Sequence, residues 1–405
     1  PRPISSAASD VYKRQGFCYR MSINVFVPKF RTDEILDEIK ICLDKGWSGM
    51  GFKTIEFEEK WKEFTSLQNA HFLQSNTVGL HLALHTFKKM YGWQDGDEVI
   101  TTPLTFVSTN HTILYEKLKP VFADVDEYLC LSPKSIEKRI TSKTKAVMFV
   151  GMGGNAGRLK AVSRICKENN LKLILDAAHM AGTKTKNIFD GAGYTTPHVG
   201  WEADVSVFSF QAVKNLPTAD SGMICFKDKE CDKLVRQLSW LGIDKDTFSR
   251  TSDDGKYKWK YDVPNVGFKY HGNSIMASIG LVQLKYLNED NKKRREIATL
   301  YSELLKDVDW FKPITISHHT YQSAQHLYQG LVTNGKRDEL INELTDNEIY
   351  PGVHYIDNTN YPMYDYAKGT CPKAHKYNEQ LITLPIHLKM DSYDCERVVE
   401  IIKRG

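Results

Sequence analysis

A series of short apolar runs between residues 98 and 227 is the feature that most narrows the folds open to this chain. Most of the runs are four to eight residues long, rich in Val, Ile and Phe, and apolar almost without interruption. Strands of this texture are buried on both faces, as in a largely parallel sheet covered by helices. The predicted strands are Glu98–Thr101, Pro120–Val125, Lys145–Gly151, Leu171–Ala178, Asp204–Phe210 and Gly222–Phe226.

Helical patterns separate several of these runs, such as Ala161–Asn169, so we predict an α/β fold of three layers with a mostly parallel sheet. Near Gly267 the texture changes to a long helical pattern over Asn273–Leu305, followed by weaker strand and helix signals. A chain of 405 residues is longer than one hydrophobic core usually organises. We therefore predict a large α/β domain over residues 21–266 and a smaller α+β domain over residues 267–405.

Residues 1–20 are small, polar and aperiodic, and no apolar segment among them resembles a signal peptide. We expect them to lie outside the fold, as a leader that is either non-native or disordered, with Met21 as a plausible start.

The net charge of +4 and the absence of a long basic block argue against nucleic acid as a partner, and no apolar run is long enough for a membrane span. Eight scattered cysteines without a CxxC pair argue against a zinc site, predict no metal, and fit a reducing cytoplasm.

The segment Ser75–Leu80 places small polar residues directly before an amphipathic pattern. Such residues cap helices, and a helix start also binds phosphate, because its free N–H groups and its dipole favour an anion. Asn76 and Thr77 are therefore candidate phosphate ligands. A plain helix cap is the alternative, and the segment alone favours it.

Asp176 lies at the carboxyl end of a buried strand and is followed by Ala177, Ala178 and His179, at the edge where α/β sheets bind their ligands. A carboxylate there can pair with a pyridine nitrogen and hold its proton, which makes the ring an electron sink. An Asp that merely caps the following turn explains the segment equally well.

Lys214 lies just beyond another buried run, and Ser209 lies five residues before it. A lysine here is commonly a solvated loop residue. If it is desolvated, however, its amine loses proton affinity and becomes a nucleophile for an aldehyde. Ser209 could then reach the phosphate of the same ligand.

Phe106 follows a strand and Pro103, so its ring can stack on a flat ligand, although a core position would explain it alone. The order along the chain is phosphate-type helix start, aromatic platform, strand-end Asp and Lys. These are the parts that a pyridoxal 5'-phosphate (PLP) enzyme needs. Coincidence of all four is much less probable than any one of the alternatives.

With these motifs the sequence resembles the DegT/StrS-type sugar aminotransferases, which have the PLP fold type I architecture. The resemblance covers nearly all of residues 22–403. Besides the Asp176 and Lys214 motifs, it rests on Trp47–Gly51, Ile55–Glu58, Gly96–Ile100, Pro120–Asp126 and Gly352–Tyr355.

The resemblance implies a role for each matching residue. Lys214 would carry PLP as a Schiff base and then act as general base and acid, and Asp176 would pair with the pyridine nitrogen. His179 would lie beside the ring oxygen and Phe106 would stack on the ring. Asn76, Thr77 and Ser209 would hold the phosphate, while Ser48, His354 and Tyr355 would contact the substrate.

Family members usually act as homodimers with shared active sites, so the resemblance implies a dimer here. Relatives carry an Asn, reaching the neighbouring subunit's phosphate, where this chain has Lys269. Lys269 could replace it as a point charge, and an ordinary surface lysine is the alternative. Two other departures are Asp220-Ser221-Gly222, where a Glu and two glycines are common, and an apparent insertion around Asn187–Val199. The insertion puts the local substrate pocket in doubt.

By resemblance, the expected reaction transfers an amino group from an amino acid, with L-glutamate the favoured donor, to the ketone of a nucleotide-linked keto-deoxysugar. The product would enter a surface polysaccharide or a glycosylated metabolite. Sugar 3-dehydratases of the same family carry His in place of the lysine, so Lys214 favours transamination. A non-catalytic regulatory relative would break the Lys or Asp position, and neither is broken. Another fold type I reaction on a non-sugar substrate stays open.

Overall fold

The computed structural model describes residues 22–186, 188–189, 194–195, 197–245, 261–316 and 320–405. The predicted leader, residues 1–20, and part of the predicted insertion lie outside the described residues. The described strands are β1 Ile23–Asn24, β2 His71–Leu73, β3 Glu98–Thr101, β4 Lys119–Phe122, β5 Thr144–Val150, β6 Lys172–Asp176, β7 Lys184–Thr185, β8 Ile188–Phe189, β9 Tyr194–Thr195, β10 Val205–Ser209, β11 Gly222–Phe226, β12 Phe311–Pro313, β13 Tyr321–Gln322, β14 Tyr328–Val332, β15 Ile349–Tyr350 and β16 Leu381–Leu384. The described α-helices are α1 Thr32–Asp44, α2 Phe52–Thr65, α3 Asn76–Tyr91, α4 Val107–Tyr115, α5 Pro133–Glu137, α6 Leu159–Glu168, α7 Lys229–Ser239, α8 Ser274–Leu304, α9 Arg337–Asp346, α10 Pro372–Gln380 and α11 Ser392–Arg404.

The central sheet has seven strands in the order β2-β11-β10-β6-β5-β3-β4. Strands β4, β3, β5, β6 and β10 run parallel to one another, whereas β11 is antiparallel to both β10 and β2. All six predicted strands lie in this sheet, so the prediction of a mostly parallel sheet is confirmed. Strand β2 escaped the sequence analysis because it is only three residues long and begins with a histidine.

The sheet is buried on both faces, because its strand residues alternate between two separate hydrophobic clusters. Val147 and Phe149 of β5 face the cluster that contains residues of α2, α6 and α8. Ala146 and Met148 of the same strand face the other cluster, with residues of α3, α4 and α7. Helices therefore cover both faces, which confirms the three-layer α/β fold.

The C-terminal part of the chain, which follows α8, contains a three-stranded antiparallel sheet in the order β12-β14-β16. It packs with α9 and α11 in a further hydrophobic cluster, which also contains Ile23 of β1. Strand β1 pairs with β15, so the first described strand joins the C-terminal part. The long helix α8 contributes Ala277 and Leu281 to the large cluster and Ile297 and Tyr301 to the C-terminal one. The division at residue 266 stays a prediction.

The order of the strands brings distant segments to one edge of the sheet. Strands β6 and β10 are parallel neighbours and end at Asp176 and Ser209, and β2 ends just before α3. Carboxyl ends of parallel strands are where α/β sheets place their ligands.

Among the described helices, none combines the length and the apolar character needed to cross a bilayer.

Candidate active site

A cavity of about 430 Å³ opens at this edge of the sheet. Among the side chains lining it are the predicted Asn76, Thr77, Phe106, Asp176, His179, Ser209, Lys214, His354 and Tyr355. They come from β6, β10, the starts of α3 and α4, and the segment after β15. The fold therefore gathers most of the predicted site residues into one space.

Asp176 is buried and is held by three donors. The hydroxyl of Thr109 donates to its Oδ2 over 2.8 Å, and the N–H of Ala178 donates to its Oδ1 over 3.2 Å. The Asn76 amide also donates to Oδ1, over 3.4 Å. Burial raises the pKa of Asp176, while these donors and the nearby Lys214 charge favour the ionised form. The carboxylate is thus fixed in orientation at the end of β6.

Lys214 lies in the connection between β10 and β11, where its N–H donates to the carbonyl of Gln211 over 2.8 Å. Burial lowers the pKa of its amine to about 8, and the negative charge of Asp176 acts against that shift. The amine of an exposed lysine is almost wholly protonated at neutral pH, whereas an amine with a pKa of about 8 has an appreciable neutral fraction. Lys214 is therefore desolvated, which is the condition under which its amine could act as a nucleophile.

His179, His354 and Tyr355 form one wall of the cavity. The two ring nitrogens of His179 lie 3.2 Å from the N of Gly153 and 3.1 Å from the hydroxyl of Tyr355. Burial lowers the pKa of His179 well below its ordinary value and lowers that of His354 to about 4. Both imidazoles are consequently neutral near pH 7, and the positive charge at this wall comes from Lys214.

The start of α3 lies against the sheet beside Asp176. The hydroxyl of Ser75 accepts from the N–H of Val78 over 3.3 Å, so the residue before the helix is its cap. The Asn76 side chain also donates to the carbonyl of Val207, over 2.9 Å, which turns it toward the sheet. A phosphate at this helix start would therefore be held by N–H groups of the first turn. The hydroxyls of Thr77 and Ser209, which line the same cavity, could also donate to it.

A glycine makes the close approach of α3 possible. A Cβ on Gly222 would lie 2.7 Å from the N of Asn76 and 2.7 Å from the carbonyl oxygen of Phe208. Both are backbone atoms, so neither can move aside alone. Gly222 is thus required for α3 to begin beside Asp176.

Phe106 is 58% exposed although it lines the cavity, and its ring centroid lies 5.9 Å from that of Tyr355. An aromatic ring placed in a core would be covered on both faces. The open position favours a stacking platform for a flat ligand over the core alternative.

Two predicted residues are not among the cavity-lining side chains. The Nζ of Lys269 lies 3.4 Å from the centroid of the Trp240 ring, an arrangement typical of a cation–π contact. Ser48 is exposed, and its carbonyl accepts from the N–H of Ser274 over 3.0 Å. Their proposed contacts with cofactor and substrate stay predictions.

The sequence analysis missed Thr109, which binds Asp176, and Thr105, whose hydroxyl lies 2.9 Å from that of Thr109. The available signal was a set of small polar residues, including Asn110 and Thr112, on the buried side of α4. No group of three or more His, Cys, Asp or Glu in the described ranges is arranged to hold a metal ion.

Known proteins share this fold and sequence over nearly the whole chain. A model of the DegT/DnrJ/EryC1/StrS aminotransferase family matches residues 30–403. The spore coat polysaccharide biosynthesis protein SpsC of Bacillus subtilis is 33% identical over 380 residues, 91% of this chain and 94% of that protein. The UDP-4-amino-4-deoxy-L-arabinose–oxoglutarate aminotransferase of Shewanella sediminis is 31% identical over 396 residues, 94% of this chain and 98% of that protein. The PLP-form structure of Spr1654 from Streptococcus pneumoniae has a TM-score of 0.84 and 25% identity, covering 95% of this chain and 98% of that one.

Proposed function

Because the chain belongs to the DegT/DnrJ/EryC1/StrS aminotransferase family, we propose that it transfers an amino group from L-glutamate to the ketone of a nucleotide-linked keto-deoxysugar. The protein is a PLP-dependent sugar aminotransferase, and the proposal concerns its donor and acceptor. One relative is named for polysaccharide biosynthesis. The other is named for a UDP-linked 4-amino sugar and for oxoglutarate, the keto acid that glutamate becomes on losing its amine. These names support a nucleotide-linked sugar and a glutamate donor.

The residues of the cavity fit PLP. Lys214 offers a desolvated amine, Asp176 an oriented carboxylate, and Phe106 an open aromatic face. The start of α3 offers N–H groups to a phosphate. The single observation that carries the proposal is that Lys214, with a pKa of about 8, and Asp176 line the same cavity.

PLP, when bound, supplies an aldehyde and an electron-withdrawing ring. We propose that the neutral amine of Lys214 would hold PLP through that aldehyde. With glutamate in the site, the same amine would act as general base and acid and would move a proton away from the substrate α-carbon. With the keto sugar in the site, it would move a proton in the opposite direction.

The remaining cavity residues hold the reactants in place. Asp176 would keep a proton on the pyridine nitrogen, and Thr109 holds the carboxylate in the orientation that this needs. Phe106 would cover one face of the ring, and Thr77 and Ser209 would hold the phosphate together with the first turn of α3. We assign the substrate side to His354 and Tyr355, because they come from the C-terminal part and line the same cavity.

We further propose a homodimer. Lys269 lies outside the cavity of its own chain, so a cofactor contact requires the cavity of a neighbouring subunit. The ammonium of Lys269 would suit a contact with a phosphate as a point charge.

We expect the enzyme to act in the cytoplasm, where its seven described cysteines, all free and buried, would stay reduced.

The visible absorption spectrum of the purified protein with PLP, recorded before and after glutamate, tests the proposal. We expect a yellow band that glutamate bleaches, with release of 2-oxoglutarate, and no such band in Lys214→Ala. Nucleotide-linked keto-deoxysugars are then screened for return of the band. A band that glutamate leaves unchanged would point to another fold type I reaction, and no band in the wild type would point to a non-catalytic relative.

A further inference from the structure

Lys214 sits on a loop whose base and tip are fixed in different ways. At the base, the N–H of Ala212 donates to the carbonyl of Ala219 over 2.9 Å, and the Thr218 hydroxyl donates to the carbonyl of Phe210 over 2.8 Å. These bonds close the loop upon itself, but they do not tie its tip to the rest of the protein. Leu216 anchors the tip in the large hydrophobic cluster, and the side chain of Asn215, the residue after Lys214, connects it by hydrogen bonds.

Asn215 is buried and bonded to three residues in two different segments. Its amide nitrogen donates to Oδ1 of Asn291 over 2.6 Å and to the carbonyl of Ala324 over 2.7 Å. Its oxygen lies 2.8 Å from Nδ1 of His326. Asn291 belongs to α8, and the other two partners belong to the segment before β14. Both amide protons and the amide oxygen of Asn215 are thus engaged.

The direction of the bond to His326 is determined by chemistry. An amide oxygen can only accept, so Nδ1 of His326 carries the proton and donates it. Burial lowers the pKa of His326 well below its ordinary value, so the ring is neutral. The ring is also packed between two others, with centroids 4.5 Å from His179 and 5.5 Å from Phe26. His326 therefore has one tautomer and one orientation, behind the wall of the cavity.

The same network reaches the segment that follows His179. The amide of Asn291 donates to the carbonyl of Ala181 over 2.9 Å. Gly182 leaves room for this amide, because a Cβ there would lie 2.4 Å from Nδ2 of Asn291. Helix α8 thus holds the Lys214 loop and the segment that follows His179 through one side chain.

We propose that Asn215, held by His326 and Asn291, is a positioning residue that fixes the direction of the Lys214 amine in the cavity. Neither Asn215 nor His326 is among the side chains lining the cavity, so both act through Lys214 and His179. A proton transfer between two carbons needs the amine aligned with both, and small misplacements of a catalytic group reduce rates strongly. The inference rests on the proposed function, since the cofactor bound to Lys214 provides the readout.

Two variants of His326 separate the hydrogen bond from the packing. His326→Asn keeps an N–H close to the position of Nδ1 but loses the ring, whereas His326→Phe keeps the ring but loses the donor. For His326→Phe we expect kcat of the glutamate half-reaction to fall about tenfold with KM nearly unchanged. We also expect the pH titration of the visible band to shift. His326→Asn should retain most of the rate and the wild-type titration.

The control is Tyr328→Phe, which removes a hydroxyl contact of 3.1 Å with Ser302 in the C-terminal part. It should lower the melting temperature without changing the titration of the band. If His326→Phe behaves like Tyr328→Phe, or if His326→Asn is impaired as much as His326→Phe, the positioning role is wrong. Should His326→Phe fail to fold, Asn291→Ala removes a partner of Asn215 and is judged by the same two readouts, with wild-type values for both overturning the proposal. A wild type without a visible band would instead contradict the proposed function.

Discussion

His179 donates its Nε2 proton to the hydroxyl of Tyr355, 3.1 Å away. The direction follows from the other nitrogen, because the N–H of Gly153 donates to Nδ1, which must therefore be unprotonated. The ring is neutral, since burial lowers the pKa of His179 well below its ordinary value. The oxygen of Tyr355 accepts this hydrogen bond, and the phenol keeps its own proton because burial raises its pKa. Its O–H is thus free to donate into the cavity.

Tyr355→Phe should therefore slow the reaction without disturbing the fold. The variant keeps the ring beside Phe106 and removes the hydroxyl, which is the donor to the cavity and also the acceptor for His179. A hydrogen bond to a charged or polarised oxygen is worth about 1.5–3 kcal/mol, so we expect a rate loss of about tenfold to a hundredfold. Rapid-mixing measurements of the two half-reactions will show whether the loss lies on the sugar side, as the position of Tyr355 predicts. Wild-type rates in both half-reactions would remove Tyr355 from the site.

The Thr109–Asp176 bond should control the acid limb of the pH–rate profile. The hydroxyl of Thr109 donates to the carboxylate and so favours its ionised form. Without that donor, the pKa of Asp176, already raised by burial, should rise further. Thr109→Val should thus move the acid limb to higher pH and lower the rate near neutrality. Thr112→Val is the matched control, since Thr112 is buried on the same helix and donates to a carbonyl instead. Equal profiles for the two variants would contradict the assignment.

The sequence predicts the strands well because their signal is local. The runs Glu98–Thr101 and Gly222–Phe226 match β3 and β11 residue for residue. The reversed direction of β11 was not predictable in this way, since an apolar run has the same pattern in either direction. Pairing partners are chosen by tertiary contacts, and composition does not encode them.

Several site residues were predictable because they lie at the end of a predicted strand or at the start of a predicted helix. Asp176 ends one buried run and Lys214 follows another, so their position at the edge of the sheet was implied by the fold. No sequence feature distinguishes Thr109 and Asn215 in this way, because Thr and Asn are common in loops and at helix starts. Their roles depend on partners distant in sequence, such as Asn215 on Asn291, and only the folded chain brings these together.

Gly222→Ala should weaken both the fold and the hold on the cofactor phosphate. The added methyl group would meet backbone atoms of Ser75, Asn76 and Phe208 at 2.7 Å, so the start of α3 must move from the sheet. Overpacking of this kind costs about 1–3 kcal/mol of unfolding free energy. We expect a lower melting temperature and a larger Kd for PLP, measured by fluorescence titration. Gly49→Ala, where a Cβ would have no atom within 4 Å, is the control for stability.

Lys214 gives the sharpest pH prediction. Burial is the largest influence and lowers the pKa of its amine to about 8, while the charge of Asp176 raises it. Only the neutral amine attacks an aldehyde, and its fraction grows as the pH rises through the pKa. The rate at which PLP reconstitutes the cofactor-free protein should therefore rise with a midpoint near pH 8, well below the value of an exposed lysine. Asp176→Asn removes the charge that stabilises the ammonium, so its midpoint should lie lower than that of the wild type. A midpoint near that of an exposed lysine, or an upward shift in Asp176→Asn, would mean that the two groups do not share a desolvated cavity.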